Sequence, residues 1–335
     1  MKKSFIVFSF LLFFANCFAS ENKKFSIEIK PSFGLIFGRA SEYVHVDYEK
    51  FLDVGSYNAR LSQLDYDYKA PCVNLDIDSQ IFKHFYIGCN LSFGIPIKAG
   101  NMQDYDWLNV YFPNHEWANA LTNYSIHDNY LNSYIDLNLK CGYSFYLPFN
   151  ISLTPFVGLS YDCISFSAKD GYGKYGKYNG TVYEPNTESF DKIDFSGDVI
   201  QYKQYSSGKM GGYAPSVNLG LKYLFNVIPR INISGSFLFF PFYSVSSLDY
   251  HVLRNQDFLS VVNRSFKFST DLTVCVKINK LLCLGVKGDF SIIPELCGST
   301  YSKSHQAQNY FVSKDTQSRI ARISGQVSFV LGLSF

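Results

Sequence analysis

The stretch "FSIEIKPSFGLIFG", Phe25 to Gly38, alternates with a period of two. Phe25, Ile27, Ile29, Phe33, Leu35 and Phe37 hold the odd positions, and Ser26, Glu28, Lys30, Ser32 and Gly34 lie between them. Successive side chains of a β-strand point to opposite faces, so the segment reads as a strand with one apolar and one polar face. The carboxyl end repeats the pattern. Ile323, Val327, Phe329, Leu331, Leu333 and Phe335 alternate with Ser324, Gln326, Ser328, Gly332 and Ser334. Both ends of the chain therefore predict strands that separate a lipid-like from a water-like environment.

Composition says which kind of sheet. Aromatic residues make up 18% of the chain, with 26 Tyr and 32 Phe, against 17% charged residues. Beyond residue 20 no uninterrupted apolar run approaches the roughly 18 to 20 residues of a spanning helix. Lys2 and Lys3 followed by "SFIVFSFLLFFA" and small residues at "CFAS" have the layout of a secretory signal peptide, residues 1–20, while Asn16-Cys17 leaves a lipoprotein site open. An exported, aromatic-rich chain without spanning helices fits an all-β, transmembrane antiparallel β-barrel in a bacterial outer membrane, with aromatic girdles at its two interfaces. A secreted β-sandwich is the soluble alternative. Losing Lys2 and Lys3 with the leader brings 30 basic residues level with 28 acidic ones, which removes the electrostatic case for nucleic acid.

Residues 21–335 show neither a composition break nor a repeat, so one barrel domain is expected. The Gly-, Asn- and Lys-rich tract from Lys169 to Lys192 reads as a long external loop. Beyond Cys17, the cysteines Cys72, Cys89, Cys141, Cys163, Cys275, Cys283 and Cys297 are scattered without metal-like spacing. They read as small apolar fillers, not as a disulfide framework.

Chemistry concentrates in two places. In "FYIGCNLSFGIPI" the odd residues Phe85 to Ile95 are again the apolar ones. Carried forward without slippage, that parity turns Asp104 and Asp106 of "GNMQDYDWLN" into the lumen and Tyr105 and Trp107 outward. Asp249 and His251 share a strand face, where the carboxylate can orient the imidazole as a general base. Parity objects here, because odd residues Ile231, Ile233, Phe237 and Phe239 face outward. Pro241 in "FFPFY" resolves the objection if it marks a bulge, since one extra residue flips every later side chain; an irregularity is expected between Phe239 and Ser247.

"SQLDYDY" (62–68), "IGCNLSFGIPIKAGNMQDYDW" (87–107), "IQYKQ" (200–204) and "SSLDYH" (246–251) resemble the omptin family of outer-membrane proteases, in the family's order and near its spacing. The similarity runs in weaker form from about Ile27 to Phe335. It implies a ten-stranded antiparallel barrel whose extracellular loops form an active-site groove. It implies Asp104, Asp106, Asp249 and His251 as catalytic residues, and Glu42, Met102, Ile200 and Ser247 as substrate-binding ones. The implied reaction is endopeptidase cleavage near basic residues by a water activated between the Asp-Asp and Asp-His pairs, without a covalent intermediate and without a metal. Peptides or proteins, host proteins among them, and outer-membrane lipid are the expected partners of a monomer.

Two departures from the family stand out. Its lipopolysaccharide phosphates are held by Tyr, Glu and two Arg, whereas the matching positions here are Leu159, Tyr161, Cys163 and Tyr205. The basic fork is missing, so no lipopolysaccharide cofactor is expected. Of the two acids that select Arg or Lys, Glu42 is present and the other is Ser247. That predicts weaker discrimination, sharpened by Ser247→Asp. Two rival readings are an inactive omptin-like adhesin and a porin. Retention of both residue pairs speaks against the first, and chain length against the second.

Overall fold

The computed structural model describes residues 25–47, 58–185, 191–208 and 211–335. The expected leader, with Cys17, lies outside them. Ten strands close into a ring, each antiparallel to its neighbours. They are β1 (Phe25–Asp47), β2 (Asn58–Ile81), β3 in two halves, β3a (Phe85–Gly94) and β3b (Ile97–Asp106), β4 (Asn123–Tyr143) and β5 (Ile151–Tyr175). Next come β6a (Asp198–Ser206) with β6b (Ser216–Ile228), β7 (Ile231–His251), β8 (Gln256–Lys277), β9 (Leu282–Ser304) and β10 (Phe311–Ser334). The β1–β10 seam closes the ring with Phe33 opposite Phe329, and Phe335 exchanges backbone hydrogen bonds with Ile27. Among the described residues there is no α-helix, in keeping with the period-two pattern at both ends.

The outer wall carries the expected apolar belt. Phe33, Leu35 and Phe37 of β1, Phe237 and Phe239 of β7 and Val327, Phe329 and Leu331 of β10 are exposed, Phe329 at 75%. Loop lengths separate the two ends. Turns such as 82–84 and 278–281 are short at the end holding Phe25 and Phe335, whereas 107–122 and 176–197 are long at the other. The loop expected from Lys169 is shorter than its composition suggests, because β5 runs on to Tyr175 and is joined there by Ile193–Asp194; residues 186–190 lie outside the description. All seven described cysteines are free thiols.

Inside, the lower barrel is filled with paired charges. Lys267 lies 3.0 Å from Asp162, which also pairs with Arg322 and accepts from Tyr243, and Lys287 is 2.9 Å from Asp76. Above them an apolar layer crosses the lumen, built from Ile36, Tyr66, Met102, Leu131, Phe166 and Tyr202. The rings of Tyr66 and Tyr202 stack at 4.2 Å, and those of Tyr66 and Phe166 at 5.5 Å. This layer draws on β1 to β6a, and a second buried cluster that includes Leu238, Phe240, Val262, Ile293 and Ile320 lines the remaining strands, so packed side chains occupy the lumen from both halves of the ring.

Two irregularities set which face the upper residues present. β3 breaks at Ile95–Pro96, and its register with β4 shifts between Lys98 and Gly100. Gly100 is required there, because a Cβ would meet the Asp67 carbonyl oxygen at 2.5 Å. The two departures cancel, so Met102, like Tyr86 before the break, is buried. In β7 the register shifts between Phe240 and Tyr243 and again before Val245. Inward parity consequently passes from even residues (Leu238, Phe240) to odd ones (Tyr243, Val245, Ser247, Asp249). This is the expected Pro241 irregularity.

Candidate active site

On β1 the exposed apolar run ends at Phe37. The next outward residue, Arg39, pairs with Asp67 of β2 at 2.6 Å, and the outer wall turns polar. The cavity residues described next lie beyond that line, at the long-loop mouth.

Two strands on opposite sides supply the walls. β3b carries Asp104 and Asp106, paired with Leu64 and Ser62 of β2 and with Ser125 and Asn123 of β4. β7 carries Asp249 and His251, paired with Tyr202 and Ile200 of β6a. Between them lies a cavity of about 350 Å³ whose lining includes Glu42, Asp104, Asp106, Asp249, His251 and Arg254. Leu61, Leu64, Leu108, Tyr111 and Phe258 form its apolar part.

The electrostatics of the walls differ. Burial, and then the charge of Asp106, hold the Asp104 carboxyl well above the usual carboxylate range, with His251 and Arg254 pulling the other way. Burial also raises Asp106, against hydrogen bonds from Ser62 and Asn123. Burial together with their mutual repulsion disfavours ionisation of both acids at once. Across the cavity His251 Nε2 lies 2.7 Å from Asp249 Oδ2. Burial alone would lower this imidazole, but the charge and hydrogen bond of Asp249 outweigh it and the net shift is upward. With Nε2–H given to Asp249, Nδ1 is the nitrogen left to take a proton. Asp104 Oδ1 and Asp249 Oδ1 are buried acceptors with no hydrogen-bond partner among the described residues.

Glu42 rises from β1 into the same cavity. Its Oε2 accepts from Ser247 Oγ at 2.6 Å and its Oε1 from Ser260 Oγ at 2.7 Å. Burial and the charge of Asp249 push it up to about 7. Of the residues expected to touch substrate, Glu42 alone lines the cavity. Ser247 lies beneath it, fully buried, and acts on Glu42. Met102 and Ile200 are not among the lining residues but belong to the buried apolar cluster, 0% and 2% exposed, with Ile200 paired to His251 across β6a and β7. Sequence reasoning missed Ser260, which the register places opposite Ser247, and Arg254, which no motif marks.

On the outer wall Cys163 sits opposite Tyr205, both buried, with Leu159 exposed on the same strand as Cys163. The nearby cation, Lys203, lies over the rings of Tyr205 and Tyr213. These residues do not fit a clamp for lipid phosphates.

A closed barrel with an exposed apolar belt, and acids and a histidine lining a cavity at one mouth, is the layout of a membrane β-barrel with a candidate active site. Over residues 22–335 the chain matches the Omptin family and belongs to it, a family of outer-membrane proteases. The fold is similar to the crystal structure of the outer membrane protease OmpT from Escherichia coli, with a TM-score of 0.77 at 20% identity over 94% of this chain and 99% of that one. The outer membrane protein OprG from Pseudomonas aeruginosa aligns over 92% of this chain and 95% of its own, at 8% identity and a TM-score of 0.37. No curated protein matches the sequence.

Proposed function

We propose that the chain is an endopeptidase working at the extracellular mouth of the barrel, and that Asp104, Asp106, Asp249 and His251 carry the reaction. The observation that supports this most is the presence in one cavity of two buried acids held above the usual carboxylate range and an imidazole oriented by Asp249. Short turns at the opposite end and long loops around the cavity agree with a mouth that faces outward. The apolar layer below argues against a porin.

In this reading a water held between the walls gives a proton to His251 Nδ1 as its oxygen attacks the scissile carbonyl carbon. Asp249 stabilises the imidazolium that forms. The carbonyl oxygen, now negative, receives the proton that Asp104 and Asp106 share. His251 then protonates the departing amine, the C–N bond breaks, and the dyad recovers its proton from the new carboxyl group. No enzyme atom becomes covalently bonded to the substrate. Glu42 favours a basic side chain beside the cleaved bond, and the chemistry takes no lipopolysaccharide cofactor.

The test is cleavage of a peptide panel by the refolded barrel. Asp104→Ala and His251→Ala should each lower kcat by about 10²–10⁴-fold. Heat-modifiable migration on gels should be retained. Parent rates in both variants would exclude the assignment.

A further inference from the structure

His251 is followed by a single 3-10 turn, Val252–Arg254, stopped by Asn255, whose φ of 49° lies in the left-handed region. Asn255 N–H donates to the Val252 carbonyl at 3.2 Å, and His305 N–H donates to the Asn255 carbonyl at 3.0 Å. The Tyr250 ring stacks on His305 at 3.9 Å. A pinned backbone thus delivers Arg254 to the lining of the cavity that holds Glu42, Asp104, Asp106 and His251, with its side chain exposed. Its charge is felt at Asp104, Asp106 and Tyr175 on the far wall, yet it forms no ion pair among the described residues.

Most acids in the cavity already have a partner: Glu42 accepts from two serine hydroxyls, Asp249 Oδ2 is paired with His251 and Asp106 accepts from Asn123, while Asp104 Oδ1 and Asp249 Oδ1 have none among the described residues. Among the described residues of the lining, Arg254 is the one permanent cation, set against Glu42, Asp104, Asp106 and Asp249. A guanidinium keeps its charge at every accessible pH, and its planar fork of donors matches a carboxylate with two parallel hydrogen bonds. A peptide with a basic side chain at Glu42 runs on through the cavity at about 3.3–3.6 Å per residue when extended, which brings its neighbouring residues past Arg254.

We propose that Arg254 is a specificity-determining residue that binds a substrate carboxylate, so that the site selects peptides carrying a basic and an acidic group close together. The inference rests on the endopeptidase reading and deepens it. An acidic side chain and a free C-terminus are the two sources of such a carboxylate. A second basic residue at the same place would be repelled, where a purely acidic groove would attract it.

Binding can be read without turnover on the His251→Ala background, with Asp104→Asn as a second background, each checked for heat-modifiable migration. Fluorescence anisotropy would measure Kd for capped peptides with one Arg followed by Glu, Gln or Lys at each of the next few positions, and for the uncapped free acids. At one placement Glu should bind at least tenfold tighter than Gln, and Lys more weakly still. Arg254→Gln should remove that difference, and Arg254→Glu should reverse it in favour of Lys. A gain confined to the uncapped peptides would assign the carboxylate to the C-terminus. Equal Kd for Glu and Gln at every placement, or an equal change for all peptides in Arg254→Gln, would overturn the proposal; in the latter case Arg254 acts on the catalytic acids alone. Failure of the parent barrel to cleave would count against the endopeptidase reading, while these binding differences would stand.

Discussion

Glu42 pairs burial with two neutral donors, and that combination makes its charge depend on pH near neutrality. Pushed up to about 7, it is a neutral acid below that pH and a carboxylate above it. Only the carboxylate offers a charge-assisted bond to a cationic side chain, a difference worth roughly tenfold in selectivity. The ratio of kcat/KM for substrates differing only as Arg or Ala beside the cleaved bond should therefore climb as pH rises through 7, and stay flat in Glu42→Gln. Ser247→Asp should sharpen the preference mainly on the alkaline side, since two acids at 2.6 Å would otherwise share a proton. Strand parity from Glu28 onward was enough to turn Glu42 inward on the sequence alone. Its burial and its second partner were not legible, because Ser260 comes from a strand far away in sequence and meets Glu42 only once the barrel closes.

Strand β7 shows how one local defect governs the chemistry above it. Phe242 is 75% exposed on the outer face, beside Pro241, and the inward face changes parity across this pair. Deleting Phe242 should restore plain alternation. Ser247, Asp249 and His251 would then point out of the barrel. Peptide cleavage should fall at least about 10²-fold, as for loss of the base itself, while migration on gels remains heat-modifiable. Full activity in the deletion variant would mean that the upper strand re-registers freely. Here the sequence was explicit, because an apolar run of odd residues and an Asp-x-His of the same parity cannot share a regular strand. For β3 it was right by a different route. Asp104 and Asp106 do face the cavity, but through a break and a compensating shift that no alternation pattern reveals. Met102 and Ile200 carry the family's motif and are buried in the apolar cluster, since a motif fixes a position along the strand and not how far packing covers the side chain.

At the scale of the whole barrel, the belt, the ring closure and the long-loop mouth followed from period two, aromatic content and the resemblance. The ion pairs around Asp162 and the stacked rings of Tyr66, Phe166 and Tyr202 did not, because each joins strands distant in sequence. That ring stack has a consequence for where the enzyme senses its surroundings. Packed side chains below the cavity should oblige water, protons and cleaved fragments to use the long-loop mouth, so the site is expected to be sided, in equilibrium with one compartment and insulated from the other. In vesicles that hold a pH step across the membrane, the rate profile should track the solution bathing the mouth and ignore the solution at the far end. A profile that shifts with the far compartment would reveal a proton path through the stack, and would make the envelope's interior, not the environment outside, the setting to which catalysis responds.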